Sequence, residues 1–279
     1  MDRRTGWRIT NTLALVASVG WLFGRPGWEP LSSTLVLIAT LFFQERRQSK
    51  YTAATDVFDY VYTSSDSQSF YDTVAPSYDA RNSSLLLETH REVISRVRSH
   101  VQGLESWSVL DLGGGTGRLI ADHFYEYANG MWSYVDESPG MVRQFQKNMA
   151  SVALKTAARV EDIDSYLVSA ERDQFDVVVL ALVLSSMESD PDWMAVARVL
   201  KPGGELVVAD IEPSYTATHP HYSVLVRGQT HALKTRSVHL AALIPAISAA
   251  GLQSQSTSSV KTGKATYSFV AVFGKPTIP

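Results

Sequence analysis

Residues 109–119 read Val-Leu-Asp-Leu-Gly-Gly-Gly-Thr-Gly-Arg-Leu. A short apolar run meets an acid at Asp111, and glycines then fall at alternate positions, Gly113, Gly115 and Gly117. A helix-compatible segment follows. The pattern is a strand, a tight turn and a helix start, bare of side chains where a ligand would approach the backbone. The dinucleotide fingerprint G-x-G-x-x-G needs its third glycine for close helix–strand packing beside a pyrophosphate. Counted from Gly113 that place is Arg118, and counted from Gly115 it is Ile120. A pyrophosphate also gains nothing from a carboxylate at the strand tip. A cationic ligand does, because opposite charges attract strongly in a partly dry cleft. A nicotinamide dinucleotide is therefore the weaker reading of this loop, and a Gly-rich turn without a ligand is the other alternative.

Around this loop the pattern alternates. It predicts strands at 107–112, 131–136, 157–161, 175–182 and 204–211, with helices at 117–129, 139–150 and 191–200. An earlier helix is expected from Leu85 to about Val101. A last helix, His239 to Ala250, leads into two strands near 252–260 and 266–274. Strands separated by single helices mean an α/β fold with a doubly wound, mostly parallel, Rossmann-like sheet of seven strands. The two final strands in succession suggest an antiparallel hairpin at its edge.

In such a sheet, ligands lie beyond the carboxyl ends of the strands. Asp136 ends the second predicted strand, and Ser138-Pro139 opens the next helix as N-cap and first helical residue. A carboxylate there suits a pair of ribose hydroxyls, or it caps a helix. Leu200-Lys-Pro-Gly-Gly204 is a helix stop and a turn into the strand ending at Asp210.

The run Asp111–Gly117 resembles motif I of the class I S-adenosylmethionine-dependent methyltransferases. Arg198-Val-Leu-Lys-Pro-Gly-Gly204 matches the same family in order and spacing. The resemblance covers roughly 70–275 and implies S-adenosylmethionine as cofactor, its methionine part cradled by Asp111, Gly113, Gly115 and Gly117. Val160-Glu-Asp-Ile163 resembles the loop whose acid accepts the adenine amino group and whose next residue packs on the ring. Asp162 and Ile163 fit those places, with Glu161 and Asp164 close by, and a solvated surface acid is the alternative. Leu180 and Ala181 would line the site from the fourth strand. The segment Phe70–Asn82 is similar to quinone-biosynthesis C-methyltransferases and related type 11 enzymes, and it adds Tyr78.

Composition narrows the class. The chain has 279 residues and is 45% hydrophobic, enough for one large α/β domain and an appendage. It has no cysteine, which removes disulfides, thiolate metal sites and any cysteine nucleophile. That argues against cytosine-C5 methylation and thiol-dependent arsenite methylation. No metal-ligand spacing is apparent. The net charge is −3 and is uneven. Residues 1–50 hold seven basic and three acidic residues, and the remainder holds 18 basic and 25 acidic. An acidic body has no field with which to hold a phosphate backbone, so no nucleic-acid partner is expected. No Asp/Asn-Pro-Pro-Tyr element for gripping a flipped base follows the fourth strand either.

Residues 1–48 differ in kind. Two apolar runs, Arg8–Gly24 and Pro30–Phe43, flank a Gly-Arg-Pro-Gly turn, with Arg3, Arg4, Arg8, Arg46, Arg47 and Lys50 outside them and Trp7, Trp21 and Trp28 at their ends. As helices they would be about 26 and 21 Å long, against a hydrocarbon core of about 30 Å. The basic flanks and end tryptophans favour a helical hairpin, a possible membrane anchor on the cytoplasmic face. A signal peptide lacks a clean cleavage site, and a soluble helical pair in a cytoplasmic protein is the other reading. Residues 49–69 read as a Ser/Thr-rich linker, leaving 70–279 as the methyltransferase-like domain.

The acceptor is less legible. Methyl transfer from a sulfonium needs alignment and water exclusion above all, and a general base only for a tightly held proton. The catalytic residue is unknown. Of His219, His221, His231 and His239, we single out His221 and His239 as candidates, with Tyr222 and Arg236 for acceptor binding. Many relatives carry histidine where Ser185 and Ser186 stand. The expectation is a small-molecule or lipid-like acceptor. The alternatives are a non-catalytic, cofactor-binding or membrane-tethered interaction protein and, weakest, a nicotinamide oxidoreductase.

Overall fold

The computed structural model describes residues 61–64, 66–81, 84–121, 129–262 and 265–277. The expected hairpin over residues 8–43 lies outside them. The sheet is built from β2 (Trp107–Leu112), β3 (Gly130–Asp136), β4 (Lys155–Val160), β5 (Phe175–Ala181), β6 (Leu200–Ile211), β9 (Gln253–Thr262) and β10 (Ala265–Gly274). Its order is β4-β3-β2-β5-β6-β10-β9. The first five are mutually parallel, while β10 runs antiparallel to β6 and pairs with β9 as an edge hairpin. The order reverses at β2/β5, so the switch point falls at the tip of β2, where Asp111 stands.

Strand alternation decides which side chains meet which helices. Val109, Val177, Val179 and Val207 face α2 (Ser84–Val101) and α4 (Pro139–Met149), packing with Val93, Ile94, Val97 and Phe145. Leu110, Leu112, Val178, Leu180, Leu206 and Val208 face the other way. They pack on α5 (Ile163–Ser169), α6 (Trp193–Val199) and α8 (Leu240–Ala249) through Leu167, Val196, Leu243 and Ile247. Val177–Val179 is apolar on both faces because the strand is buried on both faces.

Several elements depart from expectation. Regular elements occur before Phe70: β1 (Val61–Ser64) and the first residues of α1 (Ser67–Val74) fall inside the stretch read as linker. Asp66 caps α1, its side chain accepting the Gln68 N–H, which is why a Ser-rich stretch turns helical there. A 3₁₀ segment, Ala75–Ser77, continues α1, and Asp79–Arg81 forms another. Of the helix expected over 117–129, α3 (Arg118–Ala121) is described and 122–128 are not. The helix α5 and a short α7 (Pro213–Thr218) were not foreseen. The segment after Asp210, for which no strand was expected before the last helix, contains an antiparallel hairpin of β7 (His221–Val226) and β8 (Gln229–Lys234). With β1 these form a second sheet, ordered β1-β8-β7. Its apolar face meets α1 in a third core of Phe70, Val74, Ala75, Met141, Val224 and Leu233.

Candidate cofactor and acceptor site

A cavity of about 1020 Å³ opens at the carboxyl ends of the parallel strands. Its floor at β2 is Asp111, whose side chain is 1% exposed. Oδ2 accepts the Trp132 indole N–H at 3.4 Å, and the buried Oδ1 has no partner. Burial pushes the carboxyl up to about 7, with the nearby Asp136 adding to the rise. A buried carboxylate oxygen left unbonded costs free energy. A cationic donor in the cavity would satisfy it.

The loop after Asp111 crosses the cavity. Gly115 has φ +62°, and its N–H donates to Asp136 Oδ2 at 2.9 Å. A Cβ at this position would meet no atom within 4 Å, so the loop presents bare backbone to open space. Gly113 lines the cavity next to Val183. Gly117, expected to touch the ligand, lies off the cavity wall. Its φ is +68°, and a Cβ there would run into the Phe145 ring. Its glycine serves the close approach of loop and α4, a packing role.

Asp136 closes β3. Its Oδ1 accepts the Ser138 N–H at 2.9 Å, Oδ2 accepts Gly115, and burial pushes the carboxyl to about 6. The Tyr134 hydroxyl also contacts this carboxylate, which holds the loop and keeps acceptor capacity for a ribose hydroxyl. Asp162 lines the cavity and caps α5, with Oδ1 accepting the Ser165 N–H at 3.0 Å. The Ser165 contacts hold its carboxyl below the usual range. Ile163 also lines the cavity. Asp164 lines it but accepts the Asp192 N–H at 3.1 Å, and Glu161 does not line it. Leu180 is fully buried, facing the helix layer with Val178, so the lining falls to Ala181, Leu182 and Val183. The expectation for Leu180 is off by one residue of strand alternation.

Tyr78 lines the cavity, as does His221, the first residue of β7. His239 does not. It is exposed at the start of α8 and caps it with no side-chain hydrogen bond. His219 stacks on Tyr215 at 4.2 Å, outside the lining. His231 lies in β8 and Tyr222 packs edge-on against Phe70, both off the cavity. Arg236 lines it, its guanidinium held by the Leu184 carbonyl at 2.8 Å and Asp190 at 2.5 Å.

Sequence reasoning missed Tyr71, Asp72 and Asp79. The Tyr71 hydroxyl lies 2.8 Å from Ser186 Oγ, in the cavity wall, and its ring meets Tyr78 edge-on. Burial pushes both phenols well up, so each remains a protonated donor. Asp72 accepts the Ser138 hydroxyl at 2.7 Å and the Gly140 N–H at 2.6 Å. Asp79 accepts the Thr116 hydroxyl at 2.5 Å and the Asn148 amide at 2.9 Å. Residues 66–81 are thus tied to both ligand loops. The signal was available, since Tyr-Asp occurs at 71–72 and again seven residues on at 78–79, two helical turns apart. Among the described residues, no group of three or more His, Asp or Glu could hold a metal ion.

Residues 109–204 match the model of the methyltransferase domain family. A ubiquinone/menaquinone biosynthesis C-methyltransferase UbiE of Methylococcus capsulatus is 30% identical over 146 residues, 50% of this chain and 57% of its own. A demethylmenaquinone methyltransferase of Chlamydia pneumoniae is 28% identical over 57% of this chain and 66% of its own. The chain therefore spans less than two thirds of these relatives. Among solved structures, the N-methyltransferase NodS of Bradyrhizobium japonicum with S-adenosyl-L-homocysteine overlays with TM-score 0.56. It shares 15% identity and covers 76% of this chain and all of that one. The [4+2]-cyclase SpnF overlays with TM-score 0.57 at 16% identity over 77% of this chain and 98% of its own. At such identities the overlays show the fold alone.

Proposed function

We propose that this chain, a class I S-adenosylmethionine-dependent methyltransferase by its domain match and its sheet order, transfers a methyl group to a small conjugated acceptor of quinol-like size. The observation that carries the reading is Asp111, a buried carboxylate with one unpartnered oxygen on the strand leading into the loop where Gly115 turns bare backbone to open space. When bound, S-adenosylmethionine supplies a methyl group already activated on a sulfonium, ready for in-line displacement. Asp111 accepts its ammonium group, Gly115 lets it pass close to backbone, and Asp136 accepts the ribose hydroxyls. Asp162 and Ile163 face the adenine. Tyr71, Tyr78 and Met187 wall off the remaining volume from water, and the Tyr71–Ser186 hydroxyl pair offers a donor to the acceptor.

The quinone-methylating relatives support a ring-bearing acceptor. The elements that cover the acceptor end, β7 and β8, lie outside residues 109–204. The apolar N-terminal runs add a proposed place, the cytoplasmic face of a membrane, where lipid-like acceptors reside. If the full chain stays in the supernatant when membranes are sedimented, that placement fails.

Titrating S-adenosyl-L-homocysteine into wild type and Asp111→Asn tests the site. A charge-assisted hydrogen bond of about 1.5–3 kcal/mol implies roughly a 10- to 100-fold loss of affinity. Unchanged affinity would sink the assignment. Radiolabelled S-adenosylmethionine with a lipid and small-molecule extract then tests transfer. Binding without labelled product would favour the second reading, a cofactor-binding protein without methyl transfer, since a cyclase shares this fold.

A further inference from the structure

Among the described residues, two buried side-chain atoms without a hydrogen-bond partner belong to the cavity wall, and they stand on different parts of it. One is Asp111 Oδ1, on the cofactor loop. The other is Thr235 Oγ1, just past β8. Thr235 is the middle of three consecutive lining residues, Lys234-Thr235-Arg236. Its backbone is fixed, because its N–H donates to the Pro220 carbonyl at 2.9 Å and the next N–H donates to Ser185 O at 2.9 Å. The Arg236 guanidinium is already neutralised by Asp190. Lys234 is not. No ion pair or hydrogen bond engages its side chain among the described residues, and it lines the cavity directly opposite His221 in the β7/β8 register. His221 also lines the cavity with no side-chain partner among the described residues.

This end of the cavity therefore offers one buried hydroxyl without a partner, and beside it an exposed ammonium and, across the strand pair, an exposed imidazole that no protein group engages among the described residues. Glu188, on the loop after β5, also lines the cavity. A neutral quinol hydroxyl can pair with Thr235 but gives Lys234 no counter-charge. A single negative charge satisfies both, since a carboxylate has an oxygen for each.

We propose that the acceptor is a small aromatic carboxylate, anchored by Lys234, Thr235 and His221 with its ring against Tyr71 and Tyr78. This rests on the methyltransferase reading and narrows it. The ring places its reactive position toward the donor, while the carboxylate fixes its orientation from the far end. Two opposite charges, one cationic ligand at Asp111 and one anionic ligand at Lys234, would be held by one cavity. Lys234 and Thr235 are specificity residues in this arrangement and take no part in the chemical step.

The test uses the full chain saturated with S-adenosyl-L-homocysteine. The titrants are 4-hydroxybenzoate, 3,4-dihydroxybenzoate and 1,4-dihydroxy-2-naphthoate, each beside its methyl ester. The expected result is that at least one acid binds ten or more times tighter than its ester. Lys234→Met and Thr235→Val should bring that ratio to within about threefold. Lys234→Arg should keep it, and S-adenosyl-L-homocysteine should bind all three variants as it binds wild type. Esters binding as well as acids, a ratio that survives Lys234→Met, or no binding by any acid at millimolar concentration would overturn the proposal. Failure of S-adenosyl-L-homocysteine to bind wild type would instead overturn the methyltransferase reading beneath it.

Discussion

At the scale of single residues, the site is built on buried acids whose carboxyls burial pushes upward. Asp111 sits near 7 and Asp136 near 6, against the usual 3.8, because burial disfavours their charged forms. Asp210, buried at the end of β6 with Ser185 and Ile211 N–H donors, is raised as well. A carboxyl raised in the folded state binds more protons there than in the unfolded chain. Its contribution to stability is complete below about pH 4 and is lost as pH rises through 6 to 7. The cofactor-free protein should therefore have a higher thermal midpoint at pH 5 than at pH 8, and Asp111→Asn should remove much of that difference. Binding has the opposite slope, since an ammonium ligand favours ionised Asp111. The rise in midpoint given by S-adenosyl-L-homocysteine should grow between pH 5.5 and 8. A flat gain across that range in wild type would show that Asp111 does not meet the ligand's charge. Asp111 was legible because an acid at a strand end before glycines has few structural uses, and Asp136 because it closes the next strand just before a marked helix start. The repeated Tyr-Asp marks Asp72 and Asp79 as a pair but not what they hold, because their partners at 138–140, 116 and 148 are distant in sequence.

At the scale of elements, one loop carries two kinds of glycine that the sequence spells alike. Both Gly115 and Gly117 have positive φ, which costs an L-residue about 1–2 kcal/mol. Gly115→Ala adds only that strain, since its Cβ would point into open space. Gly117→Ala adds a collision with Phe145, whose ring stacks on Tyr134 at 4.0 Å. Urea unfolding should show a loss of about 1 kcal/mol for Gly115→Ala and about 3 kcal/mol or more for Gly117→Ala. Cofactor affinity should fall at least tenfold in Gly115→Ala despite its smaller cost in stability. Equal destabilisation, or normal affinity in Gly115→Ala, would undo the division of roles. The hairpin β7–β8 shows the converse limit. Its two-residue turn is Arg227-Gly228, with φ of +51° and +83°, the pattern of a type I′ turn. Asn-Gly or Asp-Gly announces such a turn, and Arg-Gly does not. Of the five parallel strands, β2, β3, β5 and β6 were legible because they are apolar runs or end at marked turns, whereas β4 is polar and followed only from its place in the alternation. The hairpin was not legible, because its turn is filled by a residue that tolerates the conformation poorly.

At the scale of the whole domain, the described body has two large cores on the faces of the main sheet and a small third one beside them. The third joins β7 and β8 to α1 and, through Met141, to α4. Since α1 carries Tyr71 and Asp72, this cluster couples the acceptor-covering hairpin to the loop at 136–140 that holds Asp136. Two truncations of equal size separate packing from that coupling. Leu233 in the third core is 3% exposed, and Leu243 of α8 in a main core is 2% exposed. Each change to alanine should cost about 2–4 kcal/mol of stability. Only Leu233→Ala should also weaken S-adenosyl-L-homocysteine, by about threefold or more. The loosened helix no longer fixes Ser138 and Gly140, and part of the binding energy goes into re-forming it. Saturating ligand at 100 times its Kd adds about 2.7 kcal/mol. The urea midpoint of Leu243→Ala should recover by that full amount, and Leu233→Ala, at the same ligand concentration, by less. Equal recovery in the two variants would mean that the hairpin covers the site without helping to hold it together.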